Sequence, residues 1–189
     1  MSTNRSEIPT MVPCPTGQAG GSVCFLPIEL VKTSYWSLRP GAIHCRPDET
    51  APMPIRVVPT DGGGYEVIDG FKRLGSWREQ GHESIPVVVE RPGRTEEHKR
   101  LLLEANAPKR TLTALDEARV VDSLRREEHL TSNQIARLLE RKPQWVARRM
   151  DIATRLSPTA EDKLARGAIG PTLAHALCAL SSTEQDAVL

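Results

Sequence analysis

The residues best suited to chemistry fall in two groups. In "YEVIDGFKRLGSW", residues 65–77, an apolar run ends at Asp69-Gly70 and hands the chain to two adjacent cations, Lys72 and Arg73. A glycine at a strand end lets the backbone approach a ligand closely, and the amides that open a following helix bind anions. Gly70, Lys72 and Arg73 are therefore a candidate phosphate cradle. A plain surface turn would use the same residues. The second group lies in "LTSNQIARLLERKPQWVARRMDIATRL", residues 130–156. Gln144 carries the donor and acceptor that match adenine, and Arg148 the fork that matches guanine. Arg141, Lys142, Arg149 and Arg155 are candidates to meet phosphates. From 141 to 155 five cations stand against one acid, Asp151. That local excess outweighs the chain's net charge of +1, because phosphate neutralisation supplies most non-specific affinity for DNA.

These side chains need elements to position them. Ile135, Leu138 and Leu139 fall at i, i+3 and i+4 and predict one apolar helical face. Thr131 with Gln134 is a capping box that opens that helix. Glu140 to Pro143 make a four-residue connector. A second helix then starts at Gln144 and buries Val146, Met150 and Ile152. Ala136 is small where the two helices must approach. Short helix, tight turn, short helix is the helix-turn-helix plan. The alternative is a solvated basic face on an ordinary helical bundle. Trp145 either packs under the first helix or flanks the DNA backbone; we favour packing.

The first group belongs to a different texture. Apolar runs at 23–30, 55–58, 65–68 and 85–89 predict strands, with "PTDGGG" as a hairpin loop. The segment after Gly70 is helix-like until Gly81. The order β, β, β, α, β indicates a small α+β domain over 22–92. Residues 1–21 are rich in Gly, Pro, Ser and Thr and read as disordered. Beyond "RPGRT" the pattern is helical throughout, a second domain over 93–189. Its helices are expected over 96–106, from the Thr113–Asp116 cap, at Ser157-Pro158 and at Gly170-Pro171. Ser182 with Gln185 opens one more that the last residues cut short, so a truncated C-terminus is the expectation. The fold class is α+β followed by an all-α unit.

Composition excludes several classes. At 39% hydrophobic residues the 189-residue chain can bury a core, but with only 4% aromatics that core is aliphatic. No apolar run approaches a membrane span, and no secretory signal opens the sequence, which predicts a cytoplasmic protein. Cys14, Cys24, Cys45 and Cys178 lack the close pairing of zinc ligands and read as free thiols.

Taken in order, the chain resembles the ParB family of partition proteins over roughly residues 24–187. "YEVIDGFKRLGSWREQGHESIPVVV" is similar to the family segment with a GERR-type box. "NAPKRTLTALDEA" is similar to its ENxxR box, and residues 130–180 to its helix-turn-helix domain. The resemblance implies a ParB/sulfiredoxin-like N-terminal domain that binds CTP with magnesium and clamps DNA, a dimer, and a Walker-type ParA-like ATPase partner. It implies nucleotide contacts from Arg39, Gly70, Lys72, Arg73, Asn106 and Lys109, with Asn106 linked to magnesium. It implies DNA contacts from Thr131, Ser132, Lys142, Gln144, Trp145, Ala147, Arg148, Arg149 and His175. The pattern departs at Phe71 and Ala105, which replace acids, at Lys109, which replaces arginine, and at Ser37, where many members carry glutamine. The segment between Arg39 and Ile55 is also short. These losses point to weak CTP hydrolysis at most. A sulfiredoxin-like redox role would need a cysteine in "GFKRL", which has none. A CTP-hydrolysing switch and a degenerate regulator or adaptor without nucleotide binding are the alternative functions.

Overall fold

The computed structural model describes residues 22–39, 53–107 and 112–189. The expected disorder of 1–21, Cys14, Cys45, Lys109 and the short segment after Arg39 lie outside them. Five strands form one mixed sheet in the order β1-β5-β3-β4-β2. They are β1 Val23–Pro27, β2 Val31–Lys32, β3 Ile55–Pro59, β4 Tyr65–Asp69 and β5 Ser84–Val89. β3 and β4 pair antiparallel, with Val57 opposite Val67. Their connection is closed by the Thr60 amide donating to Gly64 O at 3.1 Å and the Gly63 amide donating to Thr60 O at 3.0 Å. β5 lies parallel to β3 and antiparallel to β1.

The predicted run of 23–30 is not one strand. β1 stops at Pro27, a 3-10 turn spans Ile28–Leu30, and β2 resumes for two residues parallel to β4. Proline cannot donate to a ladder, and this ends β1 where it stands.

The described residues hold eight α-helices, α1 between β4 and β5 and seven after the sheet. α1 (Phe71–Glu79) is stopped by Gly81 at φ +73°. The His82 amide donates to Trp77 O and the Gly81 amide to Arg78 O, which satisfies carbonyls the helix end would leave bare. α2 is Thr95–Asn106 and α3 Ala114–Arg126. The Thr113 side chain accepts from the Asp116 amide at 3.1 Å, as the cap predicts. α4 (Ser132–Leu138) and α5 (Pro143–Arg155) form the expected helix pair. α6 (Pro158–Ala165) and α7 (Pro171–Leu177) begin at the prolines the sequence marks.

The last helix, α8 (Ser182–Val188), opens one residue earlier than expected. Ser181 is its cap and Glu184 completes the box. Gln185 turns inward instead and is fully buried. It accepts from the Ser157 amide at 2.8 Å and donates to Arg155 O at 2.8 Å and Leu180 O at 3.1 Å. Every polar atom of its amide is used, the condition on which a buried glutamine is tolerated. α8 is thereby tied to the end of α5 and the start of α6.

The principal core does not stop where the sheet stops. Ile55, Val57, Val67, Ile85 and Val87 cluster with Phe71 and Leu74 of α1 and Leu102 of α2. The same cluster continues into Val121 and Leu124 of α3, Ile135 of α4 and Val146 of α5. A second cluster joins Leu115 and Ala118 to Ile152, Ala160, Leu164 and Leu177. α3 and α5 thus contribute to both.

Candidate functional site

Two places collect the candidate residues. The first is the join between β4 and α1. Gly70 is the residue before α1 and stands at φ +99°, a conformation costly for any side chain. A Cβ there would lie 2.5 Å from Ile55 Cγ2 and 2.9 Å from Arg73 Nη2. The glycine serves close packing against β3 as well as the turn.

Around it the structure gives the predicted ligands definite partners. Arg73 donates through Nη1 to Met53 O at 2.9 Å and Pro54 O at 3.0 Å, and through Nη2 to Asp69 Oδ2 at 3.3 Å. It fastens the start of β3 to α1. Asn106, at the end of α2, is 1% exposed. Its Nδ2 donates to Leu102 O at 2.6 Å and Ile68 O at 3.1 Å. Its Oδ1 accepts from Arg39 Nη1. Both of its amide hydrogens are used, and its oxygen already accepts from a guanidinium. Among the described residues no group of three or more His, Cys, Asp or Glu could hold a metal ion.

Arg39 is 5% exposed. Burial lowers its pKa, and the carboxylates of Asp116 and Asp69 oppose that shift. Arg39 and Asn106 therefore meet beside β4, while Gly70 and half-exposed Lys72 open α1. Ser37 is exposed, its hydroxyl donating to Ser34 O at 3.4 Å.

Two departures from the family pattern now have a structural reason. Phe71 is 2% exposed and meets Trp36 edge-on, with ring centroids 5.8 Å apart. Ala105 packs with Val58 and Ile68. Both positions that would carry acids are apolar contacts.

The second place is the α4–α5 pair. The Thr131 hydroxyl accepts from the Gln134 amide at 3.4 Å, and Gln134 Oε1 accepts from the Thr131 amide at 2.8 Å. The turn closes through Glu140 in the left-handed region at φ +51°. The Arg141 amide donates to Ala136 O at 2.9 Å and the Glu140 amide to Arg137 O at 3.2 Å. This is the Schellman arrangement, built without glycine. Ala136 is 4% exposed at the close approach. α5 begins at Pro143, capped by Lys142, one residue before the predicted start.

An α-helix turns about 100° per residue. Gln144, Ala147, Arg148, Asp151 and Arg155 share one stripe by that spacing. Of these, Gln144, Ala147, Arg148 and Arg155 are exposed. Val146 and Ile152 are fully buried on other faces, and Met150 is partly buried. Thr131, Ser132 and Lys142 are exposed at the two helix starts. His175 of α7 reaches the same region, with Nε2 3.3 Å from Asp151 Oδ2, and Arg155 Nη1 lies 3.8 Å from Asp151 Oδ1.

Two residues assigned to DNA have another setting. Trp145 is half-buried and packs against the principal core, with Arg149 Cζ 5.0 Å and Arg141 Cζ 5.5 Å from its ring centre. Arg149 is turned off the stripe: its Nε and Nη2 donate to Glu117 Oε2 at 2.7 and 2.6 Å. Counting cations along the sequence placed Arg149 beside Arg148. The helical period would have separated them.

No family model matches the chain. A probable chromosome-partitioning protein ParB of Pseudomonas putida is 28% identical over 169 residues, 85% of this chain and 58% of that protein. Another of the same description from Vibrio cholerae is 28% identical over 128 residues, 59% of this chain and 43% of that protein. A Pnob8-like ParB-N domain superposes with a TM-score of 0.51 at 14% identity, covering 82% of this chain and 78% of that one. The chain is similar to ParB partition proteins over most of its length. Its fold is the α+β fold of the ParB-N domain, a mixed sheet with one helix before its last strand and seven helices after it. The chain spans little more than half the length of the Pseudomonas putida relative. Among the described residues no helix is long and apolar enough to cross a membrane.

Proposed function

We propose that this chain is a sequence-specific DNA-binding protein that works in chromosome or plasmid partition. The observation that carries the reading is the exposed stripe on α5, where Gln144 and Arg148 project next to a tight, hydrogen-bonded turn from α4. Its chemistry is that of major-groove readout, with Lys142 and Arg155 flanking it for phosphate. The partition role is what the relatives' descriptions suggest. Arg148→Ala is expected to weaken binding to the preferred duplex by about 1–3 kcal/mol and to relax specificity at one base pair. Fluorescence anisotropy with a set of single-base variants of that duplex checks it. An unchanged preference at every base would remove α5 as the reading element.

A second reading is that the α1 N-terminus holds the phosphates of CTP. Gly70 without a side chain, the first amides of α1 and Lys72 fit an anion there. Such a nucleotide would supply the charge that gates a clamp. Any magnesium would arrive with the nucleotide's phosphates. Calorimetry with CTP and magnesium, against ATP and GTP, tests this. Heat from CTP alone supports it, and the loss of that heat in Lys72→Ala assigns the cradle. Silence with all three nucleotides would leave Gly70 as a packing device.

A further inference from the structure

We propose that Arg149, Glu117 and Trp145 form a positioning unit that sets the tilt of α5, so that Arg149 governs DNA specificity without touching DNA. This rests on the reading of α5 as the recognition helix. Three observations carry it. First, one guanidinium makes two short contacts to a single carboxylate oxygen, Glu117 Oε2, in the first turn of α3. The two side chains are only 13% and 19% exposed, so solvent screens the pair weakly compared with an open surface ion pair. Second, the same guanidinium lies over the Trp145 ring, with Arg141 also within reach of that ring. Arg141 belongs to the turn that joins α4 to α5. Turn and helix therefore meet on one indole, and Arg149 carries the link on to α3. Third, Arg149 stands one residue, about 100°, around the helix from Arg148, away from the exposed stripe.

A planar fork that is stacked and paired at once cannot be replaced by lysine without losing its geometry. The unit thus fixes a direction as well as a contact. If it loosens, Gln144 and Arg148 keep their chemistry but lose their aim at base edges. Phosphate contacts tolerate such a change better than base contacts, because they carry no sequence information.

The test uses the full chain and two duplexes, one selected by the wild-type chain from a random library and one scrambled. Affinity for each is measured over a salt series, and folding is checked by circular dichroism. In Glu117→Gln the Arg149 charge stays and an acid leaves. The proposal expects its preference for the selected duplex to fall at least tenfold, with the salt slope unchanged. Were Arg149 a phosphate contact, the same variant would bind both duplexes equally well or more tightly. That outcome overturns the proposal. Arg149→Lys is expected to lose preference likewise. In the paired exchange Glu117→Arg with Arg149→Glu, partial recovery of preference supports the unit. Lys142→Ala serves as the contrast, losing about one from the salt slope on both duplexes. If Arg149→Lys instead keeps full preference, the unit is not what aims α5. A wild-type chain with no preference for any duplex would sink the DNA reading itself, and the proposal with it.

Discussion

Replacing Gly70 with alanine is expected to destabilise the protein by about 2–4 kcal/mol, from the strained backbone and the overpacked core together. The backbone stands at φ +99° there. The added methyl would sit 2.5 Å from Ile55 Cγ2 and 2.9 Å from Ile55 Cβ. Ile55 is fully buried among Val57, Val87 and Phe71 and has nowhere to retreat. Urea unfolding of the two proteins side by side measures the difference. A loss under about 1 kcal/mol would mean that the β4–α1 join relaxes more readily than a packed core normally does. Because the effect falls on folding, the variant is a poor probe of nucleotide binding. Lys72→Ala, which removes no packing of this kind, is the better one.

Lys99→Met is the second large effect. Lys99 is 1% exposed, and its ammonium lies 2.7 Å from both Glu127 and Glu128 at the end of α3. Methionine keeps most of the volume and removes the charge. Glu128 is then left mostly buried without its cation, while Glu127 is open to water. Breaking a buried pair costs about 3–5 kcal/mol, and the exposure of Glu127 puts this case near the lower end. The pH dependence has a definite sign. Burial is the largest single influence on Glu127 and would raise its pKa, but the Lys99 hydrogen bond and charge, with Ser123 and Arg126, together outweigh it and hold the carboxyl below its ordinary value. A depressed carboxylate contributes stability above its unfolded pKa and loses it as pH falls through the folded pKa. The gap between wild type and Lys99→Met in urea midpoint should therefore narrow in acid. A gap that stayed constant down to strongly acidic pH would show that the loss comes from packing alone.

Much of the fold was legible because its signals are local. The β-branched run at 85–89, the glycine-rich loop before Tyr65 and the capping boxes at Thr113 and Thr131 each name their own structure. β2 was not legible. Two residues pair with β4 only because the chain turns at Pro27, and nothing in Val31-Lys32 itself announces a strand. The sequence points to Ser182 as a cap where Ser181 is one, since adjacent serines offer the same hydroxyl and differ only in backbone conformation. The candidate sites were legible in residue type but not in direction. Arg73, Asn106 and Arg149 have the chemistry expected of ligands, yet each spends it inside the protein. Arg73 holds a strand, Asn106 fills its own amide, and Arg149 meets an acid on another helix. Asp69 and Leu102 lie only four residues from Arg73 and Asn106, but Pro54, Arg39 and Glu117 lie 19 to 67 residues from the side chains they meet, beyond any local window. For Arg149 alone a signal existed, the helical period relative to Gln144 and Arg148.

The double attachment of α5 has a thermodynamic consequence. Arg149 fastens its middle to α3, and Gln185 holds the backbone at its end through Arg155 and Ser157. A helix fixed this way before any target arrives has almost no chain entropy left to lose on docking. Only the exposed side chains of its outer stripe must be stilled, at about 0.5–1.5 kcal/mol each. Association would then proceed as a rigid-body event. Its heat-capacity change would reflect the apolar area covered at the interface, without the larger negative contribution of a segment that folds as it binds.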